Sequence, residues 1–206
     1  MEEKINPTEE EISEAMRVVG VPPLYWEADS RKIIPRLWAQ TRDFFESGRG
    51  LYIFGTVGTG KTYLCSAIIR EHFRRSGTGY LSPLFRIHMI SIPDLLLKIK
   101  STFQDKPVSG DSEESLIDRY SGTAEKWGYP IDILFLDDLG IEKPTEWAQQ
   151  ILYQIIDKRY SNLKKTVFTS NLSLDALSER LGDRIPSRIA EMCSIIKLEG
   201  KDKRLS

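Results

Sequence analysis

Apolar residues recur along this chain with two periods, one that suits helices and one that suits buried strands. Thr8 and Glu11 have the spacing of a capping box, and Ile12, Ala15, Met16 and Val19 follow at helical intervals until Gly20 and Pro22 stop the pattern. This predicts a short N-terminal amphipathic helix, over residues 1–20, whose stripe either packs on its own domain or docks on another protein. Val21 to Lys32 reads as an extended segment carrying Tyr25 and Trp26. A second helix is expected over Pro35 to Ser47, with Leu37, Trp38, Thr41, Phe44 and Phe45 inward. Leu51 to Phe54 is a strand, Thr62 to Arg75 a helix whose Leu64, Cys65, Ala67, Ile68 and Ile69 face a sheet, and Phe85 to Ile92 a second β-prone run.

Pro93-Asp94 opens a further helix over Leu95 to Phe103. Gln104 to Gly128 is polar and contains Gly110-Asp111-Ser112-Glu113-Glu114; it is expected to be the least ordered internal region, with a return to helix through Leu116, Ile117 and Tyr120. Ile131 to Leu136 is nearly uninterrupted apolar sequence, as a central parallel strand buried on both faces requires. Trp147 to Tyr160 reads as a long helix, Thr166 to Ser170 as a strand, Leu174 to Leu181 as a short helix and Ile195 to Leu198 as the last strand. Strands alternating with helices predict an α/β domain with a parallel sheet between helical layers.

Candidate chemistry sits between the first strand and its helix, where Gly55-Thr56-Val57-Gly58-Thr59-Gly60-Lys61-Thr62 is a complete G-x-x-x-x-G-K-T loop, with Tyr63 next in line. Glycines let consecutive backbone N–H groups curl round a phosphate at a helix N-terminus, where the dipole favours an anion. Lys61 adds a point charge for the β- and γ-phosphates, and Thr62 offers a hydroxyl to Mg²⁺. The flanking strand and helix set this apart from a chance glycine-rich turn and predict binding of a nucleoside triphosphate, ATP with Mg²⁺.

Composition narrows the setting. At 206 residues the chain has room for one α/β core, and a net charge of -1 leaves any nucleic-acid contact to a local patch. Cys65 and Cys193 lack metal or redox spacing and read as reduced, packed thiols. No apolar stretch approaches a membrane span, and the acidic start (Glu2, Glu3, Glu9, Glu10, Glu11) lacks the basic region of a signal peptide, so a cytoplasmic location is expected.

The strand Ile131 to Leu136 runs into Asp137-Asp138, at the carboxyl edge where open α/β sheets place ligands. Asp137 suits Mg²⁺, and Asp138 suits the orientation or deprotonation of an attacking water; simple strand termination is the bland alternative. The extra strand between the loop and this pair argues for an ATPase that drives mechanical work and against a small-molecule kinase. Asn171 follows Phe168-Thr169-Ser170, where it either reaches the γ-phosphate or caps the helix from Leu174.

Taken with Ile133 to Gly140, Thr145 to Ala148, Ile155 to Tyr160, Thr169 to Leu172 and Arg184 to Ile189, the loop makes the chain from about Val21 onward resemble the DnaC/IstB family of AAA+ ATPases. The resemblance implies a P-loop NTPase three-layer sandwich of the AAA+ ASCE type over residues 21–206, with a central parallel sheet. The helical lid common to AAA+ ATPases is expected to be absent, since the chain stops soon after the last predicted strand. It further implies that Asn171 is a sensor residue for the γ-phosphate and that Val21 to Trp26 lies near the adenine. Arg188 would enter the ATP site of a neighbouring subunit as an arginine finger, with Arg184 in support; solvated or ion-paired arginines near Glu179 or Glu191 are the alternative.

Family members load replicative helicases or assist transposases. The implied function is therefore an ATP-dependent helicase loader that binds single-stranded DNA, partners a replicative helicase and assembles as a homo-oligomer. A transposase helper, or an assembly module switched by ATP with little hydrolysis, is the alternative. Lys98, Lys100, Lys106 and Phe103, or Arg70, Arg74 and Arg75, are candidate DNA contacts, although lysines on a helix are more often a solvated face. Asp138 stands where the wider superfamily frequently has glutamate, so slow, partner-stimulated turnover is expected. Family members commonly carry a substantial N-terminal domain, and here only about twenty residues precede the ATPase core, which leaves partner recognition to the N-terminal stripe or another surface.

Overall fold

A strand that is apolar at nearly every position has no face to give to water, so it needs a layer on each side. In the computed structural model of the protein, which describes residues 7–76, 86–103, 112–123, 130–140 and 145–200, five strands lie parallel, the apolar run from Ile133 among them. They are β1 (Gly50–Phe54), β2 (Ile87–Ser91), β3 (Ile133–Leu139), β4 (Thr166–Ser170) and β5 (Cys193–Lys197), in the spatial order β2-β3-β4-β1-β5. Leu51, Ile53, Phe135 and Val167 point to one face, beneath α1 (Glu9–Val18), α2 (Pro35–Ala39), α3 (Arg42–Glu46) and α4 (Lys61–Ser76). Tyr52, Leu134, Leu136 and Phe168 point to the other, beneath α5 (Ile92–Lys100), α6 (Glu113–Ser121), α7 (Glu146–Ser161), α8 (Leu174–Leu181) and α9 (Arg184–Met192). This is the expected three-layer sandwich. Among the described residues no helix is long and apolar enough to cross a membrane.

The differences from expectation have local causes. The helix expected over Pro35 to Ser47 is broken into α2 and α3, because the buried Thr41 turns its hydroxyl back onto the carbonyl of Trp38 at 2.7 Å and competes with the backbone ladder. β2 ends at Ser91, whose side chain accepts from the N–H of Asp94 at 3.1 Å and so starts α5 at Ile92. The expected loop region contains α6, capped by Ser112, while 104–111 and 124–129 lie outside the described residues, as do Phe85 and Lys106. The strand inserted in sequence, β2, goes to the sheet edge. The strand standing between the phosphate-loop strand and the acidic strand is β4.

α1 carries the expected capping box between Thr8 and Glu11, and Ile12, Ala15, Met16 and Val19 are buried in the core against α4. The stripe therefore packs on its own domain. The C-terminal end of α1 also protects the β2 edge, since Val19 O accepts from the N–H of Met89 at 2.7 Å. At the amino-terminal ends of β3 and β4, Arg159, with no exposed surface, donates to Thr166 Oγ1 and to the carbonyls of Tyr120, Ile131, Asp132 and Lys165. Burial pushes its pKa down to about 9, so it stays charged at neutral pH and ties α6 and the entry to β3 onto β4. Cys65 and Cys193 are both buried and free.

Candidate functional site

The carboxyl end of β1 delivers the chain into Gly55 to Thr62. Glycine at 55 is required by close approach: a Cβ there would stand 2.2 Å from the carbonyl oxygen of Leu198, whose N–H donates to Phe54 O at 2.7 Å. Gly60 has φ +92° with nothing within 4 Å of where a Cβ would lie, so left-handed backbone rather than crowding selects glycine. That open space adjoins the N-terminus of α4, where the first-turn N–H groups and the dipole suit a phosphate. Lys61, 7% exposed, donates to the carbonyls of Gly55 and Thr56 at 2.9 Å each and to Asn171 Oδ1 at 2.7 Å. Thr59 ties the loop to itself by donating to Thr56 O at 2.8 Å, and Val57 is exposed on its outside. Gly58 takes φ +76°.

β3 and β4 supply the other half. Thr62 Oγ1 donates to Asp137 Oδ2 at 3.0 Å, and Asp137 is 8% exposed. Burial raises the pKa of this carboxyl, against the hydrogen bond from Thr169. A buried carboxylate beside a hydroxyl is the hard-oxygen pair that Mg²⁺ takes from a protein, and a cation there would offset the desolvated charge. The residues present thus fit the expected metal, and Thr62 and Asp137 are the ones that would hold it. Asp138 follows in left-handed backbone, φ +66°. Asn171 does not cap α8, because Ser173 does so by accepting from the N–H of Ala176 at 3.3 Å. Its partner is Lys61. The carboxyl edge of the sheet therefore brings together Lys61, Thr62, Asp137, Asp138 and Asn171.

Arg184 and Arg188 share a face of α9, and both lie against α7 of the same subunit. Arg188 Nε donates to Asp157 at 2.9 Å, with its guanidinium 4.9 Å from the Tyr160 ring centre, and the Arg184 guanidinium lies 5.7 Å from that of Tyr153. The ion partner is neither Glu179 nor Glu191; the latter accepts from the Tyr160 hydroxyl. Arg184 borders a cleft of 510 Å³ between α7 and the α8 to α9 turn.

The family model described as IstB-like ATP binding protein matches residues 26–206. The chain belongs to that family. This family member is 28% identical, over 146 residues, to the replicative helicase loader DnaC of Escherichia coli K12, an alignment covering 70% of the chain and 52% of the relative. It is 24% identical to the replicative helicase loader DnaI of Bacillus subtilis over 187 aligned residues, 82% of the chain and 53% of that protein. The chain thus spans about half the length of these curated relatives. Among solved structures, a DnaC helicase loader superposes with a TM-score of 0.64 at 27% identity, covering 86% of this chain and 100% of that one. Domain III of the replication initiation protein DnaA from Thermotoga maritima gives 0.63 at 24% identity, covering 89% and 70%, and shares the fold. The IstB-like chain is an ATP-binding AAA+ P-loop domain.

Within this family member, the Tyr63 hydroxyl accepts from the N–H of Asp29 at 3.1 Å. The segment around Trp26 and Asp29 is fixed along α4 by charge. Arg70 donates to Trp26 O and to Glu9, while Arg74 reaches Glu9 at 2.9 Å and Asp29 at 3.1 Å. Arg75 pairs with Glu71 at 2.9 Å and covers the Phe45 ring. In the second candidate DNA patch Arg70 is therefore buried, and all three arginines have partners within this subunit. In the other patch Phe103 is exposed, edge-on to Trp147, and Lys98 lies over the Tyr120 ring at 5.9 Å.

Arg31, and then Arg74, hold the Asp29 carboxyl well below the usual carboxylate range, against the effect of burial. A depressed acid stabilises the fold above its unfolded pKa and loses that contribution as pH falls. Asp29→Asn is accordingly expected to cost about 1 kcal/mol at pH 7, Arg31 being in solvent. The gap to wild type should be constant above about pH 5 and narrow progressively below about pH 4, as measured by urea midpoints at each pH.

Proposed function

We propose that this protein is an ATP-dependent helicase loader that hydrolyses ATP at subunit interfaces and binds single-stranded DNA. The observation that carries it is the joint contact of Lys61 with Asn171 at 2.7 Å and Thr62 with Asp137 at 3.0 Å, on a chain similar to proteins named replicative helicase loaders. Lys61 and the loop N–H groups bind the phosphates, Thr62 and Asp137 would hold Mg²⁺, and Asp138 orients the attacking water and takes its proton. Bound Mg²⁺ supplies charge neutralisation of the β- and γ-phosphate oxygens. Asn171 aligns the γ-phosphate from β4, the strand shared by the two halves of the site. Arg188 acts on the site of a neighbouring subunit; its bond to Asp157 involves side chains about one-third exposed, so exchanging that partner costs little. Phe103 and Lys98 are the proposed DNA contacts.

Phosphate release should be measured with the protein alone, with single-stranded DNA, and with a replicative helicase. Turnover that rises with DNA and helicase supports a loader. Stimulation by duplex DNA and a transposase instead would make it a transposition helper, a reading favoured only by the family description. Tight ATP binding with no phosphate release in any mixture would overturn hydrolysis and leave an ATP-switched assembly module.

A further inference from the structure

The β3 to β4 ladder contains a register shift at the acidic pair. Leu136 stands opposite Phe168 and Leu139 opposite Ser170, so Asp137 and Asp138 together face the single residue Thr169. That two-against-one arrangement is a β-bulge, and the φ of +66° at Asp138 is where the extra residue is absorbed. A bulge leaves backbone groups without ladder partners. Here the N–H of Asp138 donates to the Thr169 side chain, at 2.8 Å to Oγ1, and the same hydroxyl donates its proton to Asp137 Oδ1. Thr169 is 1% exposed, so water does not substitute.

We infer that Thr169 is a positioning residue for both acidic groups, fixing the Asp137 carboxylate for the metal and the Asp138 backbone for the attacking water. The two hydroxyls on Asp137 are not equivalent. Thr62 donates to Oδ2 at 3.0 Å, and if it ligates Mg²⁺ through a lone pair its one hydroxyl has to serve the metal and the carboxylate together. Thr169 has no second duty of that kind, and its bond to Oδ1 would orient Asp137 with Oδ2 left available to a cation. Because Thr169 lies two residues before Asn171, a shift of the end of β4 on nucleotide binding also reaches the acidic pair. The bond from Lys61 to Asn171 and the bonds of Thr169 thus join the phosphate-binding and metal-binding halves through one strand.

This inference rests on the ATPase reading above, and its test separates the two. Thr169→Val keeps the shape and removes the hydroxyl, whereas Thr169→Ser keeps the hydroxyl; Thr169→Ala replaces the valine variant if that does not give a wild-type circular dichroism spectrum. For each, affinity for a fluorescent ATP analogue is measured in EDTA and in excess Mg²⁺, together with kcat, KM and the Mg²⁺ concentration for half-maximal turnover. In Thr169→Val the metal-free affinity should stay within about twofold of wild type, while the tightening caused by Mg²⁺ should shrink about tenfold. The same variant should lose about tenfold to a hundredfold in kcat with little change in KM, and Thr169→Ser should stay near wild type. A valine variant with wild-type Mg²⁺ dependence and kcat, or a serine variant as impaired as the valine one, would overturn the positioning role. A wild-type chain that binds no nucleotide would instead overturn the ATPase reading itself.

Discussion

Lys61→Ala is expected to lower ATP turnover by about 10²- to 10³-fold and to weaken nucleotide binding at the same time. The ammonium group is on a side chain only 7% exposed, so its attraction for phosphate acts in a medium of lower polarity than water. It also bridges Gly55 and Thr56 on one side and Asn171 on the other, so its loss uncouples the loop from β4. Both phases of the experiment should move: titration with a fluorescent ATP analogue should show weaker binding, and phosphate release should fall further. Normal binding by a folded Lys61→Ala protein would mean that the nucleotide lies elsewhere.

Arg188→Ala should separate binding from chemistry. A finger supplied by a neighbouring subunit stabilises charge that develops on the transferring phosphoryl group, and removing one typically costs about 10³-fold or more in turnover. ATP affinity should hardly change, because Arg188 is held by Asp157 and Tyr160 of its own subunit. Fold stability should barely change, the side chains of the bond to Asp157 being about one-third exposed. Turnover by the variant equal to wild type, under conditions where the wild type is stimulated, would remove the finger from the mechanism.

The parts of this site that were legible in sequence are those whose determinants are local. Gly55 to Thr62, the strand Thr166 to Ser170 and the helix Leu174 to Leu181 follow from composition and period within a few residues, and the structure has the latter two at the same bounds. The broken helix was hidden because Thr41 suits the helical period while its hydroxyl captures Trp38 O. β3 runs past its apolar stretch to Leu139 because Thr169, from a strand thirty-odd positions later, satisfies the bulge that Asp138 creates. A threonine inside an apolar strand carries no mark of that duty, although its place two residues before Asn171 offers the one available signal. Asp157 as the partner of Arg188 depends on how α9 crosses α7, and spacing along either helix does not report it. Sheet order is likewise non-local: β2 follows the phosphate loop in sequence yet lies farthest from β5, and β4 takes the position between β1 and β3.

Mixing two inactive variants tests most directly whether the site is shared between subunits. Arg188→Ala retains an intact phosphate loop and acidic pair but lacks the proposed finger, whereas Asp138→Asn retains that finger but lacks the carboxylate proposed to activate water. In a head-to-tail assembly of equal amounts, roughly a quarter of interfaces combine the intact site of one with the intact finger of the other. ATP turnover of the mixture should therefore rise to about a quarter of the wild-type rate while each variant alone stays near zero. A mixture no more active than the sum of its parts, in assemblies confirmed to contain both variants, would contradict a site completed by the neighbouring subunit.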